Sequence, residues 1–334
     1  LLPQPPLTAV VGQDAAQRGD GHGRQGFPAD VDIHGGGLQI GGEVLEGLLA
    51  LREGEPVGIE PCLLLAQQAT EEARIVGRRE HAGDLADRQT GVAQPGQLAL
   101  ITGSSHLQFG VTQAPLHAPG VWGAYPDIVY PGRWIVEGGQ TSTGSIINWL
   151  RRLTGGTLDL AEMNRQAEAL EPGCDGLIVQ DHFQGNRTPY TDPLSRGAIV
   201  GLTLAHEPRH IFRAIIEGIG FGTRAILDAF RAGGYASTEI TVGGGATASR
   251  LWMQIHADTA GLPVRIPASA DAPSTGSAVL AAHGAGRFAS IDEGITAMVR
   301  PGTSIDPRPR EVALYDEIYQ RYRALYPALK GALA

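Results

Sequence analysis

From residue 92 onward, hydrophobic and polar positions follow two rhythms. Short runs rich in β-branched and aromatic side chains predict strands near 98–102, 107–112, 133–137 and 239–243. Apolar residues at helical spacing predict helices near 142–154, 158–170, 207–232, 246–260, 273–287 and 309–326. The longest opens with Glu207 and Pro208, which suit a first helical turn. It keeps Ile211, Ile215, Ile216, Ile219 and Ile226 on a face to be buried. Leu314, Ile318 and Tyr322 space as a terminal amphipathic helix that caps the domain, with a tail at 329–334.

The first ninety-one residues break this pattern. They contain no Ser, Asn, Lys, Tyr, Trp or Met, although Ser, Asn, Tyr, Trp and Met all occur further on. A native domain of that size would carry several serines. Only short patches such as 44–52 have helical periodicity, and aromatic residues are almost absent apart from Phe27. The expected organisation is therefore an anomalous segment at 1–91, from a non-native reading frame or without a stable packed core, and then a domain at 92–328.

Three stretches carry candidate chemistry. After the strand at 239–243, Gly243, Gly244 and Gly245 let the chain turn tightly into a helix starting near Thr247. Bare amides and a helix N-terminus would then lie where a nucleotide can approach closely, although an ordinary strand-to-helix turn uses the same glycines. At Gly103-Ser104-Ser105, small hydroxyls beside a glycine can meet a phosphate oxygen; a plain hairpin turn reads the same way. The carboxylate of Glu137 can accept from two neighbouring hydroxyls, or simply face solvent at a strand end.

These stretches belong to longer strings. Gly-Gly-Gly-Ala-x-x-Ser-x-x-Trp-x-Gln-x-x-Ala-Asp-x-x-Gly-x-Pro-Val at 243–264 resembles the adenosine-binding segment of the FGGY family of carbohydrate kinases. Residues 197–217 resemble that family's second signature, and 98–111 its strand, Gly-Ser-Ser loop and strand. The segment 133–150 is similar to the Glu-x-Gly-Gln-Ser region of the ribulokinase branch, and 181–192 to its Gly-Asn-Arg-Thr-Pro loop. The resemblance implies an α/β, actin-like ATPase fold of ribonuclease H-like domains, with this chain supplying essentially the C-terminal half. It implies ATP with Mg²⁺, and a sugar substrate, a ketopentose such as ribulose or a related polyol. It further implies that Gly103, Ser104, Ser105, Gly144 and Asn148 face the phosphates and that Gly244, Gly245, Ala246 and Ser249 meet the adenosine. Glu137 and Gln140 would meet the sugar.

The family's catalytic aspartate precedes the 103–105 loop. Asp84 and Asp87 lie in that region but outside the expected motif, so Asp84 is the one candidate and the catalytic residue is otherwise unassigned. Nothing in the first segment resembles the family's N-terminal domain. Arg187 either reaches a phosphate or sugar, or ties its loop to nearby carbonyls, the commoner use of such an arginine. Gly276 reads as a packing glycine. A catalytically inactive nucleotide-binding or regulatory module is the competing reading.

Composition narrows the partners. With 42% hydrophobic and 18% charged residues the chain is ordinary for a globular protein, and a net charge of −9 argues against a nucleic-acid partner. Cys62 and Cys174 lack metal-ligand spacing and the ten histidines read as scattered, so no metal site in the protein is expected. No apolar run approaches a membrane span and no basic leader opens the chain, so no membrane partner and a cytoplasmic location are expected. Homo-oligomerisation stays open.

Overall fold

The predicted strands, buried along most of their length, build a mixed sheet. The computed structural model describes residues 92, 94–128, 132–268 and 272–333. The segment 1–91, with Asp84 and Asp87, lies outside the described residues. β1 (Leu98–Thr102) and β2 (His106–Thr112) form an antiparallel hairpin; β4 (Trp134–Gln140) adds to β2, and β3 (Trp122–Pro126) adds to β4 as an edge. A small separate sheet pairs β5 (Ile178–Gln180) with β6 (Ala198–Val200). On the other side of β1, β7 (Ile240–Gly244) and β8 (Val264–Ile266) add in parallel, and β9 (Thr303–Ile305) closes antiparallel. The order among the described strands is β3-β4-β2-β1-β7-β8-β9.

The helices are α1 (Gly144–Leu153), α2 (Leu160–Glu168), α3 (Pro208–Ala232), α4 (Arg250–Ala260), α5 (Ala272–Gly284), α6 (Ile291–Met298) and α7 (Pro309–Leu333). Leu98, Leu100, Val136, Ile240 and Val242 face one layer, where they pack with Ile215, Ile219, Ile226, Met253 and Ile255 of α3 and α4. Ala99, Phe109, Val111 and Ile135 face the other, against Val279 of α5 and Ile295 of α6. β1 and β4 thus divide their alternate side chains between two cores, and the sheet is buried on both sides.

α3 is buried nearly all round, so its interior polar pair needs complete hydrogen bonding. Arg213 Nε donates to Glu217 Oε1 at 2.8 Å and Nη1 donates to the carbonyls of Ala167 and Leu170. Glu217 also accepts from the Gly173 amide and from the Tyr315 hydroxyl of α7. The pair therefore joins three segments. Burial pushes the Glu217 carboxyl up, and the Arg213 guanidinium opposes that shift.

Three boundaries differ from expectation. Residues 245–248 form a 3-10 turn, and α4 starts only at Arg250 because Ser249 caps it, its hydroxyl accepting from the Trp252 amide at 3.1 Å. α6 was not predicted; Ser290 caps it by accepting from the Glu293 amide. α7 runs through Pro327 to Leu333, so residues 329–333 of the expected tail are helical. Tertiary contacts offset the cost of an internal proline: Tyr326 stacks on Tyr190 with centroids 3.9 Å apart, and its hydroxyl donates to Asp192 at 2.8 Å. The buried stripe of α7 is Tyr315, Tyr319 and Tyr322, with Ile318 packed beside it.

His106 of β2 and His256 of α4 meet in the core with ring centroids 5.4 Å apart. Neither ring has a hydrogen-bond partner among the described residues. Burial, and then repulsion from His256, holds His106 well below its ordinary pKa, and burial lowers His256 to about 4. Both are neutral in the fold and protonate readily once unfolded, near pH 6.5. Their stability contribution is therefore complete above pH 6.5 and lost as pH falls toward 4, at about 1.4 kcal/mol per pH unit for each ring. Urea unfolding should show a midpoint clearly lower at pH 5.0 than at 7.5, with His256→Gln flattening the dependence; a midpoint unchanged across that interval would contradict it.

Candidate functional site

The site begins where β1 and β7 end. Their parallel register sets Thr102 beside Gly244, so the hairpin tip at 103–105 and the glycine turn at 244–246 emerge together at the carboxyl ends of both strands. The Thr102 hydroxyl donates to the Gly243 carbonyl at 2.8 Å and accepts from the Ala246 amide at 3.2 Å. One side chain therefore clasps both turns. Gly244 has φ +98, and a Cβ there would lie 2.0 Å from the Thr102 carbonyl, so only glycine fits.

Gly245 differs. It is exposed, and an added Cβ would meet nothing within 4 Å, so the fold itself does not require glycine there. Gly103 and Ser104 are exposed beside it, and among the described residues the amides of Ser104 and Ser105 donate to no group. An open edge with free amides can receive an anion.

The α1 end reads otherwise. The amides of Thr143 and Ser145 donate to the Ser104 carbonyl and that of Gly144 donates to the Gly103 carbonyl, so these groups brace the hairpin tip. A Cβ on Gly144 would come within 2.4 Å of the Gly103 oxygen, which gives this glycine a packing role. Asn148 is exposed on α1. Ser249, half-buried, spends its hydroxyl on the α4 cap and on Asn164. Gly276 is buried in α5, as a packing glycine would be.

Gln140 is held by the protein itself. Its amide nitrogen donates to Asp181 Oδ2 at 2.8 Å and to the Ile219 carbonyl at 2.9 Å; its oxygen accepts from Gln108 and Thr223. All four hydrogen-bonding positions are taken inside the protein. Gly222 of α3 allows this approach, since a Cβ there would fall 2.4 Å from the Gln140 nitrogen. Tyr322 closes the network by donating to Asp181 Oδ1 at 2.6 Å, and burial keeps its hydroxyl protonated, far above the ordinary pKa.

Glu137 points from β4 into an ion pair with Arg187, Nη1 to Oε1 at 2.6 Å. The arginine thus ties its loop to a carboxylate instead of to carbonyls. The loop is stiff: His182 bridges the Ser195 hydroxyl at 2.8 Å and the Asn186 amide nitrogen at 2.9 Å, and burial lowers its pKa so that it stays neutral. A groove of about 350 Å³ runs beside it, lined by Ser105, Leu107, Gly139, Gln140, Thr141, Gln184 and Arg187.

His206-Glu-Pro-Arg-His210 has the spacing of a metal-binding pair, contrary to the reading of the histidines as scattered. Here each Nδ1 accepts from a backbone amide, of Thr203 and Glu207, which puts the proton on Nε2. His210 therefore caps α3, and His206 closes the turn before it. Among the described residues no group of three or more His, Cys, Asp or Glu is placed to hold a metal, and no helix is long and apolar enough to cross a membrane.

The fold is thus an α/β sheet covered on both faces, with two turns clasped together at its parallel strand ends. The chain belongs to the FGGY family of carbohydrate kinases: the model of that family's C-terminal domain matches residues 98–285. The chain is 34% identical over 256 residues to a ribulokinase of Geobacillus thermodenitrificans, an alignment covering 71% of this chain and 45% of the relative. It is 28% identical over 328 residues to a human FGGY carbohydrate kinase domain-containing protein, covering 91% of this chain and 52% of the relative, so that alignment reaches into the first ninety-one residues. Xylulose kinase from Rhodospirillum rubrum superposes with a TM-score of 0.67 at 28% identity, over 75% of this chain and 51% of that one. The fold is the actin-like ATPase fold of these sugar kinases, and the chain spans about half the length of the relatives it matches.

Replacing Gln140 by leucine should cost on the order of 3 kcal/mol in a denaturant titration, because it leaves Asp181 Oδ2 and the Thr223 hydroxyl without these partners in the core. A loss under about 0.5 kcal/mol would show the network to be dispensable.

Proposed function

We propose that this chain is the nucleotide-binding half of an ATP-dependent sugar kinase. The observation that carries this reading is the exposed edge formed by Gly103, Ser104 and Gly245, with the free amides of Ser104 and Ser105. Phosphate oxygens of ATP would accept from those amides, and the open face of Gly245 would let adenosine lie against the backbone. Ala246 and Gly244 hold the turn's shape, and Ser249 orients α4 behind it. Mg²⁺ would arrive with ATP, held by phosphate and water oxygens more than by protein groups. A cytoplasmic location accords with such substrates.

Glu137 is the candidate sugar contact. The Glu-x-Gly-Gln segment at 137–140 and the likeness to a ribulokinase support a ketopentose such as ribulose, or a related polyol. Phosphoryl transfer also needs the attacking hydroxyl held in line and its proton accepted. The described residues would supply one wall of such a cleft. Asp84, the one candidate base, lies outside them, which keeps a catalytically inactive nucleotide-binding module as the second reading.

Calorimetric titration with ADP tests the nucleotide site. Gly245→Val should weaken binding at least tenfold while leaving the unfolding midpoint nearly unchanged, since the fold has room for the side chain. Equal affinity in mutant and parent would reject the site. In a coupled ADP-release assay across pentuloses and polyols, the chain alone should turn over little or not at all. Robust sugar-dependent turnover abolished by Asp84→Asn would instead make it a complete catalyst.

A further inference from the structure

β3 is an edge strand with an irregular ladder. Its register against β4 shifts between Gly123 and Tyr125, and both Gly123 (φ +105) and Ala124 (φ +69) adopt left-handed conformations. Alanine there is strained, and bulges of this kind commonly re-aim a side chain beside a working site. The side chain set by this bulge is Trp122, directly opposite Glu137 across the ladder and therefore on the same face of the sheet.

Arg187 joins the two. Its Cζ stands 5.0 Å from the centre of the Trp122 ring, while Nη1 holds Glu137 Oε1 at 2.6 Å. Among the described residues no bond reaches Glu137 Oε2, so an acceptor remains. Trp122 is 42% exposed although the guanidinium covers one face of its ring, so the exposure falls on the remainder. The groove lined by Arg187 is lined also by Ser105 of the hairpin tip.

We propose that Trp122, Arg187 and Glu137 form a sugar subsite in which the indole is the platform for the substrate's C–H face, and Arg187 is the positioning residue that aligns platform and carboxylate. This rests on the sugar-kinase reading of the groove. Sugar C–H groups, polarised by neighbouring oxygens, are attracted to the negative face of an aromatic ring. Glu137 Oε2 accepts a hydroxyl from the same sugar, and the groove directs its far end toward Ser105. The substrate class is a short sugar or polyol with a continuous C–H face and at least one hydroxyl aimed at Glu137.

Ligand-observed saturation-transfer NMR with D-ribulose, L-ribulose and D-xylulose on the full chain tests this, with calorimetric ADP affinity measured on each protein. Trp122→Ala should weaken sugar binding about five- to tenfold with ADP affinity unchanged, and Trp122→Phe should retain most of it. Arg187→Lys keeps the charge near Glu137 but not the planar stack, and should fall between them. Equal sugar affinity in Trp122→Ala and parent overturns the subsite, as does a parent that binds ADP but none of the sugars. Sugar binding that depends on Trp122 in a chain without ADP affinity would leave the subsite standing and remove the kinase reading.

Discussion

The parallel pairing of β1 with β7 is the constraint on which the site depends. Residues 103 and 245 are far apart in sequence, and only the register that sets Thr102 beside Gly244 brings their turns together. The Thr102 hydroxyl fixes that register by donating to Gly243 and accepting from Ala246. A tight hairpin on one side and a glycine that only φ > 0 can satisfy on the other leave the strand ends uncovered. Backbone amides, unlike long charged side chains, then present a rigid and electropositive edge with little conformational entropy to lose on binding.

A second tier of buried polar contacts holds the end of β4 and the loop after Asp181 in place. Gln140 lies at the end of β4 and reaches Asp181, which Tyr322 of α7 grips from behind. Arg213, Glu217 and Tyr315 repeat the arrangement deeper in the molecule. Such networks specify one geometry because any shift leaves a polar group unpaired in a low-dielectric interior. The loop after Asp181 is consequently held at both ends, by Gln140 and by the stacking of Tyr190 on Tyr326. This is what delivers Arg187 to Glu137, and with it the groove leading to Ser105.

Much of this was legible in the sequence. The strands β1, β2, β4 and β7 stand at their predicted places because each has a hydrophobic run long enough to declare itself. The three-residue strands β5, β6, β8 and β9 offer too few alternations, and β3 hides its period behind a bulge. The glycine turn was readable, but the 3-10 step that delays α4 to Arg250 depends on Ser249 finding its cap. Gln140 could not be placed from its neighbours in sequence: its partners Asp181, Ile219 and Thr223 lie on other elements, and burial of a glutamine is a tertiary fact. Trp122 carried no signal beyond its identity, since its position over Arg187 comes from pairing and a bulge.

The central claim is that two sequence-distant turns act as one nucleotide-binding edge. A ¹⁵N amide titration of the chain with ADP tests it most directly, because the amides themselves are the proposed contacts. The account predicts that the largest shifts fall together on Ser104, Ser105, Gly244 and Gly245, with one common dissociation constant. Shifts confined to one turn, or centred elsewhere on the sheet while both turns stay silent, would contradict it.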